Sequence, residues 1–377
     1  MILKALKYTR HIGAPREWSI VGNNDDYAYF GNINLLVGKN ASGKSRTLDV
    51  IREIAGLLSG KINLAETASP SEHFELMFKE KDNQYKYILT YKDRIITDEV
   101  LLRNDKVLIN REKNIYLNID GQNIPIDLSN TKPFISLRNE QGEPYFKDFV
   151  HWGESLKNYL FANQIEKNRL VKDYKKINTE NAGEAFDVLI HIFDKGKTEF
   201  GDKFTSEIVA GMKAMDYDIS DIEIEETDGL YGLSLEEEGE YTVSQKDMSQ
   251  GMFRTLSLLI LLTYARMSDI SVCLLIDDMG EGLDFDSSKK MMDIVIKKVN
   301  NSNIQFFTST NDRHVMNQIS LRYWSVIERE HSKSIFYDYT NSKDTFEDFK
   351  YTGLNNFDFL VTDFYKNGFG VIDENDD

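Results

Sequence analysis

The spacing of hydrophobic residues divides the first third of the chain into two patterns. Short apolar runs in the N-terminal part, of which Ile33–Val37 is the most continuous, predict strands. Apolar residues three and four positions apart then predict a helix over residues 45–59. From residue 74 to residue 124, apolar and polar residues alternate between turns rich in Asp, Asn and Gly, which predicts an antiparallel meander.

The rest of the chain combines helical spacing with further strands. Helical spacing dominates residues 145–216, and an acidic hairpin follows, with strands at 222–224 and 231–235. A long apolar helix at 251–267 precedes a strand at 272–276, a helix at 287–299 and a strand at 304–308. Strand, helix and strand in succession build a parallel sheet. We therefore expect an α/β fold with a central, mostly parallel sheet, an antiparallel β lobe and a compact helical insertion.

A glycine-rich segment lies between the strand Ile33–Val37 and the predicted helix. Its sequence, Gly38-Lys-Asn-Ala-Ser-Gly43-Lys44-Ser45, matches the phosphate-loop pattern G-x-x-x-x-G-K-[ST] in the strand–loop–helix setting which that pattern requires. Gly38 and Gly43 let the backbone curl so that amide N–H groups point at phosphate oxygens, and the helix N-terminus adds partial positive charge. Lys44 is expected to neutralise the β and γ phosphates, and Ser45 to ligate Mg²⁺.

Two further segments carry residues that suit a nucleotide site. The strand at 272–276 ends in Asp277 and Asp278, and ligands bind at the carboxyl ends of strands in open α/β sheets. Asp277 is expected to hold Mg²⁺, directly or through water, and Asp278 to orient or deprotonate the attacking water. Ser249 is a natural helix N-cap, and Gly251 permits close approach of a phosphate to the first helical turn. Taken alone, a strand end and a helix start explain both segments, and only the phosphate loop favours a site.

Composition narrows the class of protein. The chain of 377 residues is 41% hydrophobic, which is enough for a buried core. Its longest apolar run, near residues 257–263, is far shorter than the roughly 20 residues that span a bilayer, and no signal-peptide pattern is present. The single cysteine, Cys273, argues against a disulfide framework and a thiolate metal cluster. We therefore expect a cytoplasmic protein that does not contact a membrane.

Charge is unevenly distributed along the chain. The net charge of −17 disfavours general binding to nucleic acid. Residues 216–240 contain eleven acids and no Lys or Arg, whereas residues 167–176 contain five cations and one acid. Solvated surface is the simplest interpretation of both stretches. If DNA is a partner, we expect salt-dependent contact through the five cations of the basic stretch, Lys167, Arg169, Lys172, Lys175 and Lys176.

Four segments occur in the order found in ABC-type ATPase heads: LLVGKNASGKS, MSQGMFRTL, LLIDDMGEGLD and FFTSTND. Over about residues 1–60 and 242–317 the chain resembles the SMC/RecF/OLD group and the small stand-alone ATPases of bacterial repair and phage-defence systems. The resemblance implies that two heads enclose two ATP molecules. Each phosphate loop would then face Ser249 and Gly251 of the other subunit, with Arg254 supporting that segment.

The resemblance also implies further site residues. The segment Gly282-Leu-Asp284 would form a loop that crosses the dimer interface. A glutamine that senses Mg²⁺ is expected between the two halves, and Gln141 and Gln164 are both candidates. Within the phosphate loop and the start of its helix, the expected nucleotide contacts also include Asn40, Ser42 and Arg46.

Two positions depart from the family pattern. Asp278 stands where the family usually has Glu, and Asn311 stands where it usually has a histidine that switches with the γ-phosphate. Asn can form a hydrogen bond to a phosphate but cannot carry charge. A misplacement of about 1 Å can cost about two orders of magnitude in rate, so we expect slow hydrolysis. Glu281 is an alternative catalytic base.

These expectations define three segments. Residues 1–140 would form the N-terminal half of the ATPase head, residues 141–216 the helical insertion and residues 217–377 the C-terminal half. The expected function is a slow ATPase, acting as a nucleotide-driven dimerisation switch in bacterial DNA repair or anti-phage defence, with a separate effector protein. A homodimer or a higher homo-oligomer would form with ATP. The alternative is an ATP-dependent oligomeric scaffold or sensor with negligible turnover that holds or sequesters an effector.

Overall fold

The structure of the chain is a computed structural model that describes residues 1–111, 116–119, 122–125, 130–139, 142, 144–160, 170–172, 185–280 and 283–370. The chain divides into two compact units. The first unit combines Met1–Leu156 with Met316–Asp377, and the second unit is Lys157–Val315. The first unit is therefore assembled from two parts of the sequence that the second unit separates.

The described strands, in chain order, are β1 (Ile2–Arg10), β2 (Trp18–Gly22), β3 (Ala28–Tyr29), β4 (Ile33–Val37), β5 (Glu72–Glu80), β6 (Asn83–Lys92), β7 (Ile95–Arg103), β8 (Lys106–Asn110), β9 (Tyr116–Ile119), β10 (Gln122–Pro125), β11 (Leu156–Leu160), β12 (Ile219–Thr227), β13 (Leu230–Glu237), β14 (Tyr241–Ser244), β15 (Val272–Asp277), β16 (Ile304–Ser309), β17 (Trp324–Glu330) and β18 (Lys333–Asp338). The described α-helices are α1 (Lys44–Ser59), α2 (Lys147–Ser155), α3 (Ala185–Phe200), α4 (Asp202–Ala214), α5 (Gln250–Met267), α6 (Phe285–Val299), α7 (Arg313–Gln318), α8 (Lys343–Asp348), α9 (Asn356–Val361) and α10 (Phe364–Asn367).

The first unit contains a mixed β-sheet. Its strands follow the order β4-β17-β18-β2-β1-β5-β6-β7-β8, and β3 also pairs with β1. The pairs β4–β17 and β2–β18 are parallel, whereas the other neighbours are antiparallel. All five residues of β4 are buried, as in a parallel strand covered on both faces. This sheet, with its flanking helices, confirms the predicted α/β class.

Strands β5 to β8 form the predicted antiparallel lobe. Their burial alternates, so that Phe74, Leu76 and Phe78 of β5 lie on the inner face. This alternation is what a sheet with one covered face requires. Strands β9 and β10 pair only with each other in the described part of the chain, in a separate two-stranded sheet. Residues 74–124, where the meander was predicted, therefore correspond to the antiparallel strands β5 to β8 and the antiparallel pair β9 and β10.

Helix α1 follows β4 and is packed by α2. The helix begins at Lys44 and ends before Gly60, which has a left-handed backbone (φ 75°) and closes the last turn through its N–H bond to Leu57. A Cβ atom on Gly153 of α2 would lie 2.3 Å from the carbonyl oxygen of Ala55. Since real side chains do not approach a backbone so closely, only glycine allows the two helices to cross at this distance.

The C-terminal part of the first unit covers the core with aromatic side chains. The ring of Phe359 on α9 lies 4.7 Å from that of Phe346 and 5.0 Å from that of Phe349, in edge-to-face arrangements. Trp324, at the start of β17, also meets Phe359, with its ring centroid 6.5 Å away. Such pairs add to the stability supplied by apolar burial. The aromatic C-terminal stretch therefore covers part of the core of the first unit.

The second unit contains the parallel pair β15 and β16, in register from Val272 opposite Ile304 to Ile276 opposite Thr308. Helix α5 is buried at every residue from 252 to 265, which explains its continuous apolar sequence. A Cβ atom on Gly211 of α4 would lie 2.6 Å from a methyl group of Leu259, so α4 and α5 approach closely. Strand β11 lies in a region where helical spacing dominates, and the sequence pattern did not predict it.

The acidic stretch forms most of a small antiparallel sheet of β12, β13 and β14. Ile222, Leu233 and Leu235 are wholly buried, whereas most of the acidic side chains lie on the other face or in the turns. The predicted hairpin is confirmed, and β14 is an additional strand paired with β13. The stretch is therefore a half-covered sheet with a strongly negative outer surface.

Candidate nucleotide site

The phosphate loop lies in the first unit, between β4 and α1. Gly38 ends the strand with φ 154°, and Gly43 precedes the helix with φ 117°, a left-handed region that favours glycine. A Cβ atom on Gly38 would lie 2.4 Å from the carbonyl oxygen of Ile327. Both glycines of the motif are therefore required by backbone geometry. The predicted strand–loop–helix order is present.

The side chains of the loop fall into a buried set and an exposed set. The Lys44 ammonium is buried and donates to the carbonyl oxygens of Gly38, at 2.8 Å, and Lys39, at 3.2 Å. The hydroxyl of Ser42 is also buried, and among the described residues it has no hydrogen-bond partner. The exposed side chains of the motif and of the start of the helix are those of Lys39, Asn40, Ala41, Ser45 and Arg46.

These features fit an anionic phosphate ligand. A buried hydroxyl without a partner costs free energy, and a phosphate oxygen is an acceptor that would satisfy it. The ammonium of Lys44 is held over the loop by neutral carbonyls, for which a charged phosphate is a stronger partner. Ser45 presents an exposed hydroxyl at the first turn of a 16-residue helix, where the backbone amides attract anions and a metal bound to them. The loop can therefore accept a phosphate chain.

The carboxylates lie in the second unit, where β15 ends. Because β15 and β16 are parallel and in register, their carboxyl ends meet at one edge, and Ser309 of β16 comes to lie beside Asp277. The hydroxyl of Ser309 donates to the carboxylate Oδ1 of Asp277 and accepts the backbone N–H of Asp278 at 2.9 Å. The backbone N–H of Met279 donates to the carbonyl of Ser309 at 3.1 Å. Three hydrogen bonds therefore fix the end of β15.

Asp278 has an unusual backbone conformation. Its φ is 54°, in the left-handed region, which Asp and Asn tolerate better than other side-chain-bearing residues. Asp278 stands where the family that the chain resembles usually has Glu. The shorter acid therefore suits the left-handed backbone at this position. Glu281, the alternative catalytic base, lies outside the described residues, and so does Gly282.

Asn311 follows β16 and is exposed. Next to it, the Asp312 carboxylate accepts the backbone N–H of His314 at 2.7 Å, and the backbone N–H of Asp312 donates to the Thr310 hydroxyl at 3.0 Å, so side chains fix the turn after β16. His314 is half-buried and lies three residues beyond the position where the family pattern has a histidine. The sequence interpretation did not assign it a role.

The signature segment starts helix α5. Ser249 is its N-cap, with the side-chain oxygen accepting the backbone N–H of Met252 at 3.1 Å, as the sequence predicted. The Ser249 side chain is exposed, and its hydroxyl also forms a hydrogen bond with the hydroxyl of Tyr217. Gly251 lies in the first turn, and Arg254 is buried one turn later. The helix start is therefore built to present backbone N–H donors outward.

The segment between β15 and α6 is described only at its end. Asp284 is the N-cap of α6 and accepts hydrogen bonds from the backbone N–H and the hydroxyl of Ser287, both at 2.9 Å. These bonds lower the pKa of Asp284. The proposed interface loop at 282–284 thus ends in a carboxylate that stabilises its own helix.

Several predicted residues lie outside the described part of the chain. They are Gln141, Gln164, Lys167, Arg169, Lys175 and Lys176. Of the basic stretch, Lys172 is described and exposed, and the neighbouring Val171 exchanges two backbone hydrogen bonds with Tyr231 of β13, at 2.9 and 2.7 Å. Val171 therefore pairs with β13 of the acidic sheet, next to the exposed Lys172.

The glycine loop between a buried strand and a helix, with Lys44 and Ser45 at the helix start, defines the chain as a P-loop ATPase. The family model described as "AAA domain, putative AbiEii toxin, Type IV TA system" matches residues 33–317, and the chain belongs to this AAA_21 family. The predicted resemblance to ABC-type ATPase heads of the SMC group is confirmed at the level of the family and the fold.

Solved structures of SMC head domains share this fold. The SMC head bound to the C-winged-helix domain of ScpA has 13% sequence identity and a TM-score of 0.53, over 89% of this chain and 97% of that chain. The Smc head domain with an extended coiled coil, bound to the C-terminal domain of ScpA derived from Pyrococcus furiosus, has 12% identity and a TM-score of 0.52, over 92% and 99%. No protein of curated function matches the chain. None of the described helices is long and apolar enough to cross a membrane.

Proposed function

We propose that this chain binds ATP with Mg²⁺, that ATP joins two copies head to tail, and that the pair hydrolyses ATP slowly. The observation that carries the proposal is the phosphate loop, in which the buried Lys44 ammonium donates to the carbonyl oxygens of Gly38 and Lys39 and the buried Ser42 hydroxyl has no hydrogen-bond partner among the described residues. Both groups suit a phosphate chain. Family membership supports the same ligand.

Each predicted residue has a role in this proposal. The loop residues, Gly38, Asn40, Ser42, Gly43, Lys44, Ser45 and Arg46, would hold the triphosphate. Ser45 and Asp277 would hold Mg²⁺, which neutralises charge on the β and γ phosphates when bound. Asp278 would orient or deprotonate the attacking water, and Asn311 would form a neutral hydrogen bond near the γ-phosphate.

The second copy would complete the site through its signature segment. Ser249 and Gly251 stand at an exposed helix start whose donors face outward. An exposed helix N-terminus, with its unpaired backbone N–H groups and a serine at the N-cap, suits the γ-phosphate of a nucleotide bound by another copy. Because each copy would provide one phosphate loop and one signature segment, a two-fold pair would enclose two ATP molecules.

Slow turnover follows from two residues. Asp278 carries its carboxylate one methylene shorter than Glu, and Asn311 cannot carry charge. Slow hydrolysis suits a switch whose ATP-bound and ADP-bound forms both persist. The same two residues favour the alternative, an ATP-dependent oligomeric scaffold or sensor with negligible turnover that holds or sequesters an effector.

The proposed pathway rests on the description of the family and on the partners of the SMC heads of similar fold. The family description names a putative toxin and a type IV toxin–antitoxin system, which favours anti-phage defence over DNA repair for this chain. The SMC heads of similar fold are bound to a domain of another protein, ScpA, which supports a separate protein effector here. DNA would bind, if at all, through the basic stretch.

Phosphate release and particle mass, measured with and without ATP and Mg²⁺, test the proposal. We expect slow turnover in the wild-type chain, none in Lys44→Ala or Asp278→Asn, and an ATP-dependent doubling of mass. The exposed Lys61, just beyond α1, provides a matched control, because Lys61→Ala removes a lysine without touching the loop. Tight ATP binding and oligomerisation without phosphate release would favour the scaffold. Absence of ATP binding would reject both.

A further inference from the structure

The phosphate loop contacts two buried side chains of the first unit that are far apart in sequence, Ser334 and Trp18. Ser334 of β18 is wholly buried, and its hydroxyl donates to the backbone carbonyl of Ser42 at 2.7 Å. The same hydroxyl accepts the indole N–H of Trp18, on β2, at 3.1 Å. Because β2 and β18 are parallel neighbours and Ser334 pairs with Ile20, the serine lies close to Trp18. The result is a buried relay from Trp18 through Ser334 to Ser42.

The direction of the Ser42 carbonyl determines the direction of the next amide. A peptide bond is planar and trans, so its C=O and the following N–H point to opposite sides. Since the Ser42 carbonyl points to Ser334, the N–H of Gly43 points away from Ser334 and toward the inner side of the loop. That side is where amide donors of a phosphate loop meet phosphate oxygens.

The loop also approaches Ser334 too closely for any residue but glycine at position 43. A Cβ atom on Gly43 would lie 2.5 Å from the Ser334 hydroxyl oxygen and 3.5 Å from the Trp18 ring. The second glycine of the motif is therefore needed for this contact as well as for its left-handed backbone, φ 117°. Both the short distance to Ser334 and the backbone conformation therefore favour glycine at position 43.

The indole of Trp18 also meets the helix that follows the loop. The guanidinium of Arg46 lies 5.5 Å from the centre of the Trp18 ring, within the range of a cation–π contact. One buried side chain thus contacts both the relay serine and an exposed arginine in the first turn of α1. Through these two contacts, the Trp18 ring connects the loop, by way of Ser334, with the start of α1.

We propose that Ser334, supported by Trp18, is a positioning residue for ATP binding: it sets the Gly43 N–H in the orientation that a phosphate needs. This inference rests on the proposed function. Without the hydroxyl, the Ser42 carbonyl and the Trp18 indole would both lose a buried partner, and the peptide between Ser42 and Gly43 would be free to rotate. Loop donors bind phosphate in the ground state and in the transition state alike, so KM should change more than kcat.

The variant Ser334→Ala tests the relay, with Ser59→Ala as the matched control. Ser59 is also buried and donates to a backbone carbonyl, that of Ala55 at 2.8 Å, but it lies at the far end of α1. We expect both variants to lower the melting temperature of the nucleotide-free protein. Only Ser334→Ala should raise KM and the ATP dissociation constant, by about tenfold, with kcat within about twofold of wild type.

A second variant keeps the inference testable if Ser334→Ala fails to fold. Trp18→Phe retains an aromatic ring near Arg46 but removes the N–H donor, and we expect the ATP dissociation constant to rise about threefold, about 0.65 kcal/mol on the scale of 1.4 kcal/mol for each tenfold change. Unchanged ATP affinity in the folded relay variants, or an equal loss of affinity in Ser59→Ala, would overturn the inference while the proposed function stands. Failure of the wild-type chain to bind ATP would overturn both.

Discussion

The hydroxyl of Ser309 donates a hydrogen bond to the carboxylate of Asp277. The two residues are neighbours because β15 and β16 run parallel in register, so that the residues after Ile276 and Thr308 meet at one edge. The bond occupies Oδ1 of Asp277 and fixes the plane of the carboxylate, leaving Oδ2 for another partner. A metal ligand oriented by a hydrogen-bonded neighbour holds its ion more tightly than a freely rotating one.

Replacement of Ser309 by Ala should weaken the use of Mg²⁺ by about tenfold or more. The carboxylate of Asp277 would lose its orienting donor, and the N–H of Asp278 would lose its acceptor. The measurement is the Mg²⁺ concentration that gives half-maximal phosphate release. Ser302→Ala, which removes a hydroxyl bonded to Val299 before β16, is the control. Equal Mg²⁺ requirements in wild type and Ser309→Ala would refute the role.

Asp278→Asn should separate hydrolysis from assembly. The amide cannot accept a proton from water but matches the carboxylate in size, and Asn tolerates the left-handed backbone at this position, φ 54°. We expect phosphate release to fall by at least about a hundredfold, while ATP still drives association in light scattering. If release persists at the wild-type rate, the base lies elsewhere, and Glu281→Gln becomes the next variant to measure.

The local parts of the site were predictable from sequence, and its supports were not. Gly38, Gly43, Lys44 and Ser45 stand within one short motif, so spacing alone identified the loop and its flanking strand and helix. Ser334 lies 292 residues from Ser42 along the chain, and the two meet because β4, which leads into the loop, pairs with β17, and β17 pairs with β18. No spacing pattern reports a contact of that kind.

Ser309 illustrates a signal that could have been used. A serine that follows an apolar strand is common, but two consecutive parallel strands ending at matched positions place their terminal side chains together. Aligning the ends of β15 and β16 would therefore have suggested Ser309 as the partner of Asp277. The sequence analysis missed strand β11 for a different reason. Its sequence, LKNYL, lies in a segment of helical spacing, and the spacing of neighbouring residues does not predict a strand that is stabilised by pairing with a distant part of the chain.

Glu72 should make stability depend on pH. Burial and the nearby negative charge of Glu53 raise the pKa of Glu72 to about 8, from an ordinary value of 4.5. The folded chain then retains a proton that the unfolded chain releases, so this group's contribution to the free energy of unfolding falls as pH rises from about 4.5 to about 8. Glu72→Gln should remove that slope, as measured by urea unfolding at pH 6 and pH 8.5.

Glu75, on the same strand β5, is the control. Although burial opposes the change, hydrogen bonds from Tyr27, His73 and Lys86 lower the pKa of Glu75 to about 2. Its stabilising contribution is present above its ordinary pKa of 4.5 and is lost only as pH falls from there toward about 2. Glu75→Gln should therefore leave the slope between pH 6 and pH 8.5 unchanged. A wild-type slope that survives in Glu72→Gln would contradict the assignment.

The basic stretch makes a separate prediction about DNA. If it contacts the DNA backbone, the double variant Lys172→Glu/Lys176→Glu should reduce DNA affinity at low salt and reduce the salt dependence by about two counterions. Fluorescence anisotropy over a salt series measures both. Lys92→Glu/Lys106→Glu, exposed on the β lobe, gives the same change in net charge as a control. An equal loss in both double variants would indicate general electrostatics without a site.

The central claim is that ATP is held between Lys44 of one copy and Ser249 of another, and complementation tests it most directly. Lys44→Ala and Ser249→Arg should each abolish turnover when assayed alone. In an equal mixture, half of the pairs would be mixed, and each mixed pair would contain one intact site, so roughly a quarter of wild-type activity should return. No recovery from two folded variants, or full activity in Ser249→Arg alone, would contradict the shared site.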